Sequence, residues 1–190
     1  MDTRLIAWGR AVKRGPLPPL WFFTDAARTP DPLPAVARLP KGLCGVVFRH
    51  DAAPSRAALG AQLAALCAAR RLTLVVAGDA RLAAALHAGL HLRGGRRLGA
   101  LGLPRLVTAS VHDATQLRRA RRAGAKLLFI SPVFPTASHP GGAVLGVLGW
   151  RRLAARAGAG RACALGGIGG ASIRRLGPRC AGAGAIEAFI

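Results

Sequence analysis

At 190 residues with 52% hydrophobic side chains, the chain is long enough for one substantial core and too short for two ordinary domains. Its 28 Lys and Arg against 7 Asp and Glu give a net charge of +21, which excludes an acidic solvating tail and makes anionic molecules the natural partners. Nucleic acid is disfavoured among those anions: the arginines are scattered in pairs such as Arg70-Arg71, Arg118-Arg119 and Arg151-Arg152, no lysine-rich arm exists, and aromatics amount to 5%.

Residues 1–15 form an N-terminal extension, a peripheral helix or a loose arm. From Pro16 onward, over 16–190, short apolar runs alternate with Ala/Leu/Arg stretches of helical period, the pattern of repeated βα units. The expected strands are Leu20–Thr24, Gly45–Arg49, Thr73–Ala77, Gly89–Leu92, Leu106–Ala109, Lys126–Ile130, Ala162–Leu165 and Ala185–Ala188. Each is nearly continuous in apolar character, as parallel strands covered on both faces require.

Between them, Pro34–Leu39 and Gly94–Gly99 read as short or irregular connections. Ser55–Arg70 reads as a helix capped by Ser55, with Ala58, Leu59, Gln62, Leu63, Leu66 and Cys67 repeating near 3.6 residues. Ala80–His87 follows. Asp113-Ala-Thr-Gln116 has the capping-box form and opens a helix that Gly124 terminates. Helices are also expected over Gly149–Ala157 and Ala171–Leu176. Eight strands with helical crossovers predict an α/β fold, a (β/α)8 TIM barrel, with an open doubly wound sheet as the alternative.

Cys44, Cys67, Cys163 and Cys180 lack CxxC spacing and lie mostly in apolar stretches, so buried free thiols in a reducing compartment are expected and a zinc site is not. No run reaches the roughly 18 uninterrupted apolar residues of a membrane span. The N-terminus shows no cleavage site, and the cytoplasm is the expected location.

In a barrel of this kind the chemistry sits on the loops after the strands. Five of the seven acids, Asp25, Asp51, Asp79, Asp113 and Glu187, fall at strand ends or just after them. Gly166-Gly167-Ile168-Gly169-Gly170, opening a helix, offers backbone N–H groups to a phosphate, although glycines at a tight βα turn also have a purely steric use. Ser110, His112, Thr136, Ser138 and His139 add hydroxyls and imidazoles on adjoining loops.

Three segments carry a resemblance: Ser110-Val111-His112, Ser131-Pro-Val-Phe-Pro-Thr136-Ala-Ser138, and Leu165-Gly-Gly-Ile168. In that order and spacing the chain resembles the thiamine phosphate synthase superfamily, which shares its barrel with the thiazole tautomerases. Pro132 stands where the tautomerases carry a histidine, which favours the synthase side. The resemblance implies coupling of a hydroxymethylpyrimidine diphosphate to a thiazole phosphate, through a pyrimidine cation, with Mg²⁺ on the departing pyrophosphate. It implies catalytic roles for Arg49, Ser110 and His139. It implies substrate contacts from Ser110, Thr136, Ser138, His139, Gly166 and Gly167, and a metal-binding Asp79. A homo-oligomer is compatible with it.

The chain departs from the family pattern at several of these points. Val47-Phe48-Arg49-His50-Asp51 stands for Gln-x-Arg-x-Lys, Gly78 for the Asn before the metal aspartate, His139 for a lysine and Glu187 for a serine. Arg93-Gly94-Gly95-Arg96-Arg97 contains no acid where a second metal carboxylate belongs, leaving Asp25 or Asp51 as substitutes. The alternative is therefore a non-catalytic or re-purposed paralogue that binds a phosphorylated metabolite.

Overall fold

The computed structural model describes residues 1–51, 53–95, 104, 106–137, 141–158 and 162–190. Eight parallel strands close into a barrel in sequence order, with β1 paired to both β2 and β8. They are β1 (Leu20–Phe23), β2 (Cys44–Phe48), β3 (Thr73–Ala77), β4 (Gly89–Arg93), β5 (Val107–Val111), β6 (Leu127–Ile130), β7 (Ala162–Leu165) and β8 (Gly182–Ala185). The expected (β/α)8 barrel is thus the fold. Seven strands lie within a residue or so of their expected bounds; the eighth lies three residues earlier than the Ala185–Ala188 run, and Glu187 belongs to a single 3-10 turn after it.

The helices are α1 (Thr3–Val12), α2 (Leu33–Arg38), α3 (Arg56–Ala69), α4 (Ala80–Ala85), α5 (Ala114–Arg122) and α6 (Gly146–Ala157). The N-terminal extension is thus a helix, burying Leu5, Ile6 and Gly9 against the barrel beside β8 and the start of β1. Where Ala171–Leu176 promised an α-helix there is one 3-10 turn, Ile173–Leu176. On α3 the buried stripe is Gly60, Leu63 and Cys67, while Ala58 and Gln62 face solvent. Ser55 holds the N-cap position without a side-chain bond to the helix. The 94–99 connection lies outside the described residues beyond Gly95.

Aromatic rings fill the barrel interior. Trp21, Phe23 and Phe129 meet edge to face, with centroids 5.8 Å apart for Trp21 and Phe129 and 4.9 Å for Phe23 and Phe129. Small residues on neighbouring strands make room: a Cβ on Gly45 would lie 2.5 Å from the Trp21 ring, and one on Gly184 2.5 Å from the Phe23 ring. The register Trp21↔Gly45 and Phe23↔Val47 puts residues 45 and 47 on the inward face of β2, and Arg49 follows by the two-residue period. All four cysteines are buried free thiols, and burial pushes Cys44, Cys67 and Cys180 up to about 12. No helix among the described residues is long and apolar enough to cross a membrane.

Candidate active site

The floor of the barrel mouth is set by His91. Its ring lies edge-on to Phe23 at 5.4 Å and beside Phe129 at 5.8 Å, and its Nδ1 bonds the Thr108 hydroxyl at 2.8 Å. Desolvation lowers its pKa to about 3, aided by the positive charges of Arg49 and Arg93, so the imidazole is neutral at physiological pH. It is an interior residue, buried among the aromatic rings.

Above that floor the strand period brings a second layer inward. Arg93 follows His91 by two residues, Ser110 follows Thr108 by two, and the register pairs Arg93 with Ser110 directly across β4 and β5. Arg49 lies over the Phe23 ring at 5.5 Å, with its Nε donating to the Thr24 carbonyl at 2.9 Å and Nη2 to Asp25 Oδ2 at 3.3 Å. Burial lowers the Arg49 pKa, Asp25 opposes that, and the like charges of Arg93 and Arg28 add to the lowering. Guanidinium groups thus gather at the C-terminal mouth under mutual repulsion, an arrangement that an anion relieves.

The segment carrying Arg49 is anchored by residues that the sequence did not single out. The Thr24 hydroxyl accepts the Arg49 N–H at 2.9 Å and lies 3.0 Å from His50 Nδ1, while His50 Nε2 lies 3.0 Å from the Thr29 carbonyl. These contacts assign the Nε2–H tautomer to a His50 that is 2% exposed. A Thr at the end of one strand and a His after the next was the only available signal.

The glycine-rich loop after β7 is less bare than its sequence suggests. Gly166 and Gly167 adopt φ of +89° and +64°, and a Cβ on Gly167 would meet the Pro135 carbonyl at 2.5 Å and Phe134 Cβ at 2.7 Å. The Val133 and Phe134 N–H groups donate to the Leu165 and Gly166 carbonyls, stitching the loops after β6 and β7 together. Farther on, Gly169 N–H donates to Ser172 Oγ at 3.0 Å and Gly170 N–H to Asp2 Oδ2 at 2.6 Å. A carboxylate of α1 therefore holds the end of the run that was expected to open a phosphate-binding helix. Thr136 is half-buried on the joined loops. Ser138 and His139 lie outside the described residues. His112 Nδ1 bonds the Ser131 carbonyl at 2.8 Å, and Glu187 faces Arg28 at 3.4 Å.

The acids around the mouth are engaged. Asp79 caps α4, accepting the Leu82 N–H on Oδ1 at 2.9 Å, and its Oδ2 takes Arg56 Nη1 at 3.1 Å. Asp51 is bridged by Arg56, at 3.1 Å, and by Arg93. Asp25 accepts the Ala27 and Arg28 N–H groups as well as Arg49. Magnesium needs oxygen ligands at about 2.0–2.1 Å, and here each candidate carboxylate already faces a guanidinium. Among the described residues no group of three or more His, Cys, Asp or Glu side chains could hold a metal ion. The donor set does not fit a magnesium ion held by this chain's own carboxylates.

The family model described as thiamine monophosphate synthase matches residues 22–187. The chain belongs to that family. Among solved structures it is similar to a thiamine phosphate pyrophosphorylase from Pyrococcus furiosus, at 24% identity and a TM-score of 0.71 over 89% of this chain and 85% of the other. A thiamine phosphate pyrophosphorylase from Bacteroides thetaiotaomicron follows, at 18% identity and 0.61 over 90% and 84%. A cube-shaped protein cage designed by fusing symmetric oligomeric domains matches at 17% and 0.60, over 90% of this chain and 64% of that one. At these identities the structural likenesses establish the fold alone. No curated protein sequence matches the chain. Of the residues the thiamine monophosphate synthase resemblance singled out, the barrel brings Arg49 and Ser110 to the inward face of one mouth. Gly166, Gly167 and Thr136 lie on the joined loops after β6 and β7, and Asp79 lies at the head of α4.

Proposed function

We propose that this chain couples a pyrimidine carried as its diphosphate ester to a thiazole phosphate, giving thiamine phosphate and pyrophosphate in the cytoplasm. Membership of the thiamine monophosphate synthase family supports the reaction class. The observation that carries the reading in this chain is the gathering of Arg49 and Arg93 beside Ser110 on the inward face of the barrel mouth, above a neutral, largely apolar floor.

In the coupling, the bond between the pyrimidine methylene carbon and the diphosphate oxygen breaks, and its electron pair leaves on the diphosphate. The thiazole ring nitrogen then gives its lone pair to the methylene cation, and the new C–N bond closes the product without a proton transfer. What the protein supplies is position and charge: donors aimed at the oxygen where negative charge grows lower the barrier without reorganising. Arg49 and the Ser110 and Thr136 hydroxyls bind the diphosphate, and the Gly166–Gly167 backbone approaches the thiazole phosphate.

Purified protein given both substrates is expected to form thiamine phosphate, read by fluorescence after oxidation. Arg49→Ala is expected to slow that reaction by about 10²–10³-fold, the usual cost of one donor to developing oxyanion charge. Well-folded protein that binds the substrates in calorimetry yet yields no product would instead be the binding-only paralogue.

A further inference from the structure

In a chain whose mouth carboxylates do not fit magnesium, something else must face the charge of a departing diphosphate. The group that occupies the right place is Arg93. It is the residue at the C-terminal end of β4, inward by register, and its side chain remains 54% exposed to the mouth. Its guanidinium lies over Gly78: a Cβ there would come within 3.7 Å of Arg93 Cζ and Nε and 3.8 Å of Nη2. Gly78 holds φ +70°, and the next residue is Asp79. A side chain at 78 would start in van der Waals contact with the Arg93 guanidinium, so the cation lies directly beside the turn that leads into Asp79.

The neighbouring ion pairs hold that cation in place. Asp51 bridges Arg93 to Arg56, and Arg56 in turn ties down Asp79 and the Ala77 carbonyl, at 3.1 and 2.8 Å. The register sets Arg93 on the inward face of β4, opposite Ser110 and two residues beyond the buried His91. A planar guanidinium offers several N–H groups in a fork that matches phosphate oxygens.

We propose that Arg93 is a diphosphate-binding residue that takes the charge-neutralising place of a divalent metal, so that this chain binds pyrophosphate without magnesium. The assignment rests on the coupling reading for its substrate, but not for the binding itself. Arg93 donates to the diphosphate oxygens as Asp51 yields, and the cation it presents is part of the protein.

The test is calorimetric titration of the full chain with inorganic pyrophosphate, once in EDTA and once in excess Mg²⁺. One site is expected, with affinities in the two buffers agreeing within about threefold. Arg93→Ala is expected to weaken binding in EDTA at least tenfold, and Arg93→Lys to recover part of it. Arg118→Ala, which removes one charge from the exposed face of α5, should bind like wild type and controls for net charge. Unchanged thermal midpoints certify folding. Binding that requires Mg²⁺, or an Arg93→Ala affinity equal to that of Arg118→Ala, would overturn the assignment. Thiamine phosphate formation separates the two claims. Arg93-dependent binding in EDTA with no product leaves the Arg93 site standing and removes the coupling reading; product formation with magnesium-dependent pyrophosphate binding does the reverse.

Discussion

Gly45 shows how single residues decide this interior. Trp21 is fully buried because the neighbouring strand offers no Cβ where its ring lies, and the indole Nε1 still reaches the Pro18 carbonyl at 2.8 Å. Gly45→Ala must push a methyl into that ring at 2.5 Å. Such overpacking costs about 1–3 kcal/mol, and a denaturant midpoint lowered to match is the expected result; an unchanged midpoint would mean that the ring moves freely aside. His91 makes a second prediction at the same scale. Its folded pKa of about 3 lies below the ordinary histidine value of 6.5, so the unfolded chain binds the extra proton first. Stability is then fully present above the unfolded value and is lost as pH falls from about 6.5 toward 3, at about 1.4 kcal/mol per pH unit for this group. Denaturation at pH 7 and pH 5 should show that loss in wild type and a shallower one in His91→Gln, which keeps a partner for Thr108. Equal slopes would contradict it.

Three helices are started by aspartates. Asp2, Asp79 and Asp113 each accept an N–H from the first turn of the helix they precede, and the Asp113 box closes with Gln116, whose Oε1 takes the His112 N–H. Asp113→Ala should cost about 1 kcal/mol and Asp113→Asn much less. Asp2→Ala should cost more, because the Gly170 N–H also loses its acceptor; amide exchange in α1 should quicken, and a stability loss smaller than that of Asp113→Ala would contradict the double role. Burial raises the Asp2 pKa, but the N–H groups of Gly170, Leu5 and Arg4 and the Arg4 charge outweigh it, leaving a net lowering. Its contribution is therefore present above the ordinary carboxylate pKa of 3.8 and fades on acidification below that.

The elements that the sequence revealed are those whose burial required apolar or capping residues. β2, β3 and β6 were legible as Val, Leu, Ile and Phe runs, and α5 as a box ended by Gly124 at φ +74°. β8 was misplaced because Gly182-Ala-Gly-Ala is chosen for smallness: its glycines admit Phe23 and Cys163, and smallness carries no strand signal. In the site, Arg49 and Ser110 were legible through the family resemblance, and the strand register then sets both on the inward face of the mouth. Arg93 was read only as a missing acid, since its place depends on an approach to Gly78 at the end of the neighbouring strand that no spacing records.

For the molecule as a whole, +21 is a field, and a field alone would draw anions everywhere. Arg-rich faces occur on the outer helices α5 and α6, while the mouth pairs most of its arginines with acids. The two kinds of basic surface differ in how they bind: exposed charges are screened beyond about 8 Å at physiological salt, whereas the partly buried Arg49 of the mouth is screened less, and a diphosphate there meets several guanidinium groups at close range. Binding of a diphosphate to the mouth should accordingly survive physiological salt that abolishes adhesion to the helices. Function resides at the C-terminal mouth, and hydrogen exchange with and without pyrophosphate at that salt puts this to the test. Protection confined to the segments ending β1, β2, β4 and β5 and to the loop after β6 is the predicted result; protection spread over α5 and α6, or found nowhere, would contradict it.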